Sequence, residues 1–328
     1  MKRKVVIVGG GVSGLVCAYA FRKYKDIEIT ILEPATLGGE FLTGGLKYIH
    51  RTDSMVSMFT DLGLVFSNYA VRGGIMLRGD VHKYPDVFSG MPQGESERIQ
   101  ADHYRKTRRT EPGDYARKAM NDPASTKPRK ALRTDFADMV KALEKSFIKN
   151  GGVIRRERLK EIGKNVIWVE SGKIIKYDHM VLTIPLWVIH RAVNDLWYVP
   201  QGVAMKLNVV VIVPRKDTYS RWDYIYTPYT PANAIHRFSP DGFAYSCEIN
   251  GELDQVDMVS DLNFIFKGGW WIKYIREGLK GHLLPLDNKV DWPSNVATLG
   301  RFAKWDSRAT LDVALEDAKK LGRRWFAR

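Results

Sequence analysis

The chain has 328 residues, 45% of them apolar and nine of them Trp, which predicts a globular protein with a core large enough for two intimately packed domains. Its two cysteines, Cys17 and Cys247, are too few for a disulfide scaffold or a cysteine-rich metal site and point to a reducing, cytoplasmic setting. Lys and Arg outnumber Asp and Glu by 51 to 37, a net charge of +14 that draws polyanions, and no run reaches the roughly 18 uninterrupted apolar residues of a membrane span.

The chain begins with an apolar strand, Lys4 to Val8, then the turn Gly9-Gly10-Gly11-Val12-Ser13-Gly14 and an apolar helix pattern through Phe21. A second strand, Ile27 to Leu32, closes on Glu33. Met1-Lys2-Arg3-Lys4 before an apolar run mimics a secretory leader, but the strand–turn–helix logic accounts for that run and no small-residue cleavage site follows. The unit reads as a dinucleotide site. Gly9 permits the tight turn, Gly11 lets backbone approach a pyrophosphate, and Gly14 allows helix and strand to pack closely. Val12 and Ser13 open the helix, whose unpaired N–H groups and positive dipole end face the phosphates. Glu33, about 20 residues on, holds a ribose hydroxyl pair.

Met55 to Leu62 reads as a short helix and Gly74 to Tyr84 as a hairpin ending at Pro85. From Asp86 to about Lys130 the sequence is rich in Pro, Gly and charge with little periodicity, predicting a long loop, a lid or a partly ordered insertion. Within it, residues 98–133 carry eleven basic and four acidic side chains, half of the whole net charge. Thr134 or Asp135 caps an amphipathic helix from Phe136 to Lys149, ended by Asn150-Gly151-Gly152. Strands follow at Val153 to Ile154, Val166 to Val169 and Met180 to Ile184, with a hairpin turn at Ser171-Gly172-Lys173. Residues 203 to about 265 read as antiparallel strands with turns at Pro214, Pro228, Pro231 and Pro240, and Trp270 to Leu279 reads as a helix. Val296 to Leu299 forms a strand, Gly300-Arg301 a turn, and a closing helix runs from about Thr310 to Phe326.

The implied fold class is α/β, a Rossmann-like nucleotide-binding domain interrupted by an antiparallel-sheet substrate domain. The expected partition is 1–85, 134–200 and 286–328 for the nucleotide domain, 86–133 for a basic insertion, and 201–285 for the substrate domain.

Four places resemble the flavin-binding class that includes amine oxidases, protoporphyrinogen oxidase and UDP-galactopyranose mutase. Glu33 followed by Leu37-Gly38-Gly39-Glu40 is similar to the segment that runs along the FAD pyrophosphate and ribityl chain in that class. Gly44-Gly45-Leu46-Lys47-Tyr48-Ile49-His50 looks like the element passing close to the flavin ring. Val181-Leu182-Thr183-Ile184-Pro185-Leu186 resembles the class's strand-to-turn signature, with Arg158-Leu159 facing the adenine. Leu299 to Asp306 with Thr310-Leu311-Asp312 resembles the closing motif, in which a helix N-terminus faces the pyrimidine edge of the flavin. The resemblance implies non-covalent FAD, held by Gly38, Gly39, Glu40, Gly45, Leu46, Leu159, Gly300, Arg301, Thr310 and Leu311 besides the first turn.

It also implies chemistry. Lys206, in Gly202 to Leu207, matches the strand that carries a water-holding lysine in many amine oxidases; alternatively it is the solvent face of an alternating strand. His50 contacts flavin or substrate, or is a structural histidine. Arg237, beside His236, either clamps a carboxylate or phosphate or belongs to an ion pair. Trp222, Tyr224, Tyr226 and Tyr229 form an aromatic string read mainly as core. Neither the histidines nor the cysteines show metal-ligand spacing, and no GxSxG elbow is present.

The leading expectation is an FAD-dependent oxidation of an amine C–N bond, with molecular oxygen or another electron acceptor. The basic stretch, including Arg105, Lys106, Arg108 and Arg109, suggests DNA as substrate. The chain also resembles bacteriophage flavoproteins that trim an amino acid attached to thymine during DNA hypermodification, which would place it in a host cytoplasm. The alternatives are a UDP-galactopyranose mutase-like enzyme and a non-catalytic flavin-fold protein that binds nucleic acid.

Overall fold

The computed structural model describes residues 2–39, 49–84, 86–107, 130–193, 204–283, 292–304 and 310–327. In chain order the first elements are β1 (Arg3–Val8), α1 (Val12–Phe21), β2 (Ile27–Leu32), β3 (Ile49–His50), α2 (Asp53–Asp61), β4 (Ser67–Ala70), β5 (Gly73–Leu77) and β6 (Asp80–Lys83). Next come α3 (Gln93–Thr107), β7 (Lys130–Arg133), α4 (Phe136–Lys149), β8 (Val153–Arg155), β9 (Leu159–Gly163), β10 (Val166–Val169), β11 (Ile174–Lys176), β12 (His179–Leu182) and α5 (Leu186–Ala192). The chain ends with β13 (Ala204–Pro214), β14 (Tyr224–Tyr226), β15 (Ile235–Asp241), β16 (Ala244–Asn250), α6 (Gln255–Ile265), β17 (Trp270–Leu283), β18 (Val296–Thr298), α7 (Arg301–Lys304) and α8 (Leu311–Phe326).

A five-stranded parallel sheet in the order β18-β12-β1-β2-β8 gathers strands from both ends and the middle of the chain. All its neighbours are parallel, so each connection crosses over a face; the central strands are buried from Val5 to Val8 and from Met180 to Leu182, whereas the edge strand β8 leaves Val153 and Arg155 exposed. Helix α1 is buried at every position from Gly14 to Phe21, which explains why it is apolar all round. It lies in the core cluster with α4, α8 and the sheet. Asp135 caps α4 by accepting the Asp138 N–H at 2.9 Å, and Met139, Val140, Leu143 and Phe147 form its buried stripe. Helix α8 closes the layer. Its Trp325 and Phe326 rings meet Phe21 edge-on at 6.3 and 5.3 Å, and each such buried side chain contributes about 1.5–3 kcal/mol.

The second large sheet has seven strands in the order β17-β13-β16-β15-β14-β5-β6. The hairpin β5–β6 enters it through a parallel pairing of β5 with β14, so residues 73–83 belong to this sheet although the sequence places them in the nucleotide block. Met76, Val210, Ile212, Phe238, Tyr245 and Cys247 share a core cluster with Met258, Leu262 and Ile265 of α6. Two three-stranded sheets, β11-β10-β9 and β3-β7-β4, complete the fold.

Two expectations are corrected, and a third, the insertion after Asp86, is resolved in part. Trp270 to Leu283 is a strand, because β13 pairs with it over almost its whole length. Extra residues at three register shifts interrupt its two-residue alternation, which is why the apolar pattern imitates a helix. Residues 86–107 are ordered as a short 3-10 helix, Asp86–Gly90, followed by α3. Helix α3 buries only Ser96 and Ile99 among its described core positions, too few to reveal a period. Gln255–Ile265 within the antiparallel block is helical, capped by Asp254, whose carboxylate accepts the N–H groups of Val256 and Asp257.

The cysteines lie apart and fully buried, and burial pushes both thiols well above the usual range, so both are inert packing residues. Among the described residues, no helix is long and apolar enough to cross a membrane, and no group of three or more His, Cys, Asp or Glu is arranged to hold a metal ion.

Candidate functional site

The site forms where the carboxyl ends of β1, β2, β12 and β18 meet the N-terminus of α1. Gly9 sits at φ +107°, and its N–H donates to Leu32 O at 2.8 Å. Thr183 Oγ1 donates to Val8 O at 3.0 Å and Gly9 O at 2.9 Å, pinning the turn from β12's end. An added Cβ on Gly14 would lie 2.0 Å from Gly9 O, so only glycine lets α1 start this close to β1. Among the described residues, a Cβ on Gly11 meets nothing within 4 Å and no side chain caps α1. The first N–H groups of the helix, on Val12 and Ser13, therefore have no such cap where the positive end of the dipole lies.

Glu33 is fixed from the opposite side. Its Oε2 accepts the Gly10 N–H at 2.7 Å and its Oε1 the Ala35 N–H at 2.9 Å. Each oxygen keeps lone-pair capacity for a diol. The Gly38 N–H donates to Gly10 O at 2.9 Å, and Gly11 and Gly38 form an isolated parallel bridge that lays Gly38-Gly39 against the turn. Gly39 has φ +54°, and its added Cβ would lie 3.8 Å from Gly11 Cα.

The C-terminus reaches the same place. Gly300, at φ +85°, has no room for a Cβ, which would stand 2.5 Å from Ser13 Oγ. The Leu299 N–H donates to Leu182 O at 3.0 Å, which aligns this loop with β12. Thr310 precedes Leu311 at the start of α8, and its hydroxyl donates to Asp312 Oδ1 at 2.7 Å instead of capping the helix. His50 Nδ1 lies 3.4 Å from the same oxygen. Burial acts to raise the Asp312 carboxyl, but hydrogen bonds from His50 and Thr310 outweigh it and hold the group below the usual carboxylate range.

Of the residues singled out from sequence, Gly9, Gly11, Val12, Ser13, Gly14, Glu33, Gly38, Gly39 and Gly300 converge on one turn, with Arg301 next along the chain. His50, Thr310 and Leu311 gather about Asp312. Leu159 begins β9 and packs against the cluster that contains Leu32, Val169 and Leu182. Arg237 lies in the seven-stranded sheet, where its Nε donates to Glu248 Oε2 at 3.1 Å and its Nη2 meets the same oxygen; His236 Nε2 is 3.4 Å from it. Arg237 is thus engaged by an internal carboxylate. Lys206 lies in β13 opposite Lys280, its side chain outside the described residues, as are the side chains of Arg105 and Lys106 in α3. Glu40, Gly45, Leu46, Arg108 and Arg109 lie outside the described residues altogether.

Asp312, Thr183 and Glu248 are missing from the residues chosen by sequence. Asp312 and Thr183 stand inside the quoted motifs, whereas Glu248 gives no local signal because its partners come from a different strand. Tyr224, Tyr226 and Tyr84 pack edge to face, supporting the core reading of the aromatic string. Tyr229 donates to Asp102 Oδ2 of α3 at 2.7 Å, and burial together with that carboxylate pushes its phenol up to about 12.

This arrangement fits a dinucleotide: an open helix N-terminus for the pyrophosphate, a fixed carboxylate for a ribose, and glycine approaches from two further loops. Residues 7–69 match the family of NAD(P)-binding Rossmann-like domains. No curated protein matches the chain by sequence. Among solved structures, reduced UDP-galactopyranose mutase is similar with TM-score 0.69 at 12% identity, over 98% of this chain and 93% of that one. A CLA-producing fatty acid isomerase from P. acnes is similar with TM-score 0.69 at 11% identity, over 99% of each. Glycine oxidase from Bacillus cereus is similar with TM-score 0.62 at 14% identity, over 98% of this chain and 94% of that one. At such identities the shared property is the fold, which in these three proteins serves a mutase, an isomerase and an oxidase.

Proposed function

We propose that the chain is an FAD-dependent oxidoreductase that oxidises the C–N bond of an amine. The observation that carries this reading is the convergence of Glu33, Gly38 and Gly300 on the uncapped N-terminus of α1, a cradle built from both ends of the chain. Bound FAD would supply a two-electron acceptor next to the substrate carbon. The chain's own groups do the rest. Val12 and Ser13 N–H groups take the pyrophosphate, Glu33 the ribose, and the α8 N-terminus offers its dipole to developing negative charge. The His50–Asp312 pair holds a proton at His50 Nδ1, beside that helix start.

The substrate is an amino acid joined through its nitrogen to a methyl group of thymine in DNA. Two electrons and two protons leave the C–N unit for molecular oxygen, giving hydrogen peroxide. Water then adds to the imine, and the C–N bond breaks to give an aminomethyl base and a keto acid such as glyoxylate. The net charge of +14, half of it in residues 98–133, supports a polyanionic substrate, and a base in a duplex would have to be flipped out to react. Mass analysis of nucleosides from modified DNA incubated with the protein in air, with a glyoxylate assay, tests the reading. Appearance of the aminomethyl nucleoside supports it; turnover of free amines alone rejects the DNA substrate.

The similarity to UDP-galactopyranose mutase favours a second reading, a flavoenzyme acting on a nucleotide sugar. Dithionite-dependent isomerisation of a UDP-sugar, without oxygen consumption, would select it.

A further inference from the structure

We propose that one end of the seven-stranded sheet is a second contact surface, distinct from the 98–133 stretch, that binds single-stranded nucleic acid. Three segments build it: the loop after β13, the turn before β17 and the tip of the β15–β16 hairpin. The Arg215 N–H donates to Gly269 O at 2.9 Å, and an added Cβ on Gly269 would lie 3.3 Å from Arg215 Cδ. The corresponding point on Gly268 lies 3.5 Å from Lys216 Cβ, so both cations stand beside this turn. Lys267 belongs to the same turn and extends its Nζ to within 3.8 Å of the Cβ position of Gly79. Lys273 is exposed two residues after Trp271 on β17.

None of these four cations has a carboxylate partner among the described residues. Of the acids in the loop after β13, Asp217 is committed to the Tyr245 hydroxyl and the Tyr219 N–H, and Asp223 pairs with Arg72 and Arg133 at 3.9 and 3.6 Å. With Asp217 and Asp241 both counted against the cations, the corner keeps a positive excess.

Two aromatic side chains are exposed at the same end of the sheet. Phe243, at the hairpin tip, is 97% exposed and Trp271 is 53% exposed. Trp271 pairs with Val213 and Tyr245 with Ile212, which puts the hairpin tip and Trp271 at the same end of the sheet. Protection of an edge strand accounts for a lysine such as Lys273, but it would remove an exposed Trp and Phe, not supply them. A second copy of the chain would bring another +14 of like charge. A strand with accessible bases satisfies both features, since cations neutralise phosphates while rings stack on bases. A duplex hides its base faces and leaves the aromatic pair unused. This inference concerns binding alone and stands independently of the redox reading.

Fluorescence anisotropy of a labelled oligo(dT) with the full-length protein at several salt concentrations tests it. Arg215→Gln, Lys216→Gln, Lys267→Gln and Lys273→Gln together should lower the slope of log affinity against log salt by about 3, since each phosphate contact on a single strand contributes roughly 0.7. Trp271→Ala with Phe243→Ser should weaken binding about ten- to a hundredfold and leave the slope unchanged, while Trp271→Phe retains most of the affinity. All these side chains are exposed, and circular dichroism of each variant checks that the fold persists. Wild-type slope and affinity in both variants would overturn the inference, as would polyglutamate or duplex DNA binding as tightly as oligo(dT). Glutamine replacement of Arg105, Lys106, Arg108 and Arg109, assayed in parallel for binding and for turnover of modified DNA, reports on the substrate reading separately.

Discussion

Gly11→Ala and Gly14→Ala separate two properties that share one turn. At Gly14 the added methyl would lie 2.0 Å from Gly9 O, a backbone atom held by Thr183 and unable to swing aside. The helix must lift from the sheet, and because α1 is buried from Gly14 to Phe21 the lift opens the core. Overpacking of this kind costs about 1–3 kcal/mol, and loss of packing along α1 brings the total to roughly 2–4 kcal/mol. At Gly11 the methyl meets no atom of the described residues within 4 Å, so the apo fold loses only about 0.5–1 kcal/mol, the difference between Gly and Ala as an N-cap. A pyrophosphate bound at this helix start would meet that methyl. Chemical denaturation of the apo forms and FAD titration measure both properties. Gly14→Ala should lose stability and binding, Gly11→Ala binding alone by at least tenfold. Equal destabilisation of the two, or undiminished FAD affinity in Gly11→Ala, would refute the assigned geometry.

Three further outcomes follow from the same structure. Asp261 is buried and accepts from the Thr230 hydroxyl at 2.7 Å and from the N–H groups of Ala232, Ala234 and Ile235 at 2.8–2.9 Å, so Asp261→Ala should cost about 3–5 kcal/mol in urea unfolding, whereas a loss below about 1 kcal/mol would mean the loop finds other acceptors. Burial and the nearby Arg3 charge hold His179, stacked on Trp325, below the usual histidine range, so the unfolded chain binds its proton first and stability should fall as pH drops below about 6.5. In His179→Phe that slope should flatten, and an identical slope would assign it to other groups. Asp312 is held below its ordinary range, so its contribution is present above about pH 4 and lost as pH falls further; Asp312→Asn should remove that acid limb and weaken FAD binding.

Much of the site was legible because its signals are local. The turn from Gly9 to Gly14 carries its own constraints, and Glu33 lies one βαβ length away, so a single window of sequence contains strand, turn, helix and acid. The C-terminal loop was legible only through its resemblance to the closing motif of the flavin class; the φ of +85° and the approach to Ser13 that restrict Gly300 to glycine emerge from the fold. What stayed hidden depends on partners far along the chain. β17 looked helical because bulges break its alternation and β13, some 60 residues earlier, sets its conformation. α3 is a polar helix docked by Ile99 and by Asp102 on Tyr229, and no periodicity announces so small a contact. Glu248 acquires meaning only beside His236 and Arg237 of the neighbouring strand.

The proposed function requires one FAD held by residues from both ends of the chain. Its most direct test is to purify the protein, release any bound cofactor by denaturation and quantify it by chromatography, repeating the assay after incubating apo protein with FAD, FMN or NAD. One FAD per chain, displaced by neither FMN nor NAD, is the expected result. A chain that binds no FAD under either condition, or takes NAD in its place, would contradict the claim.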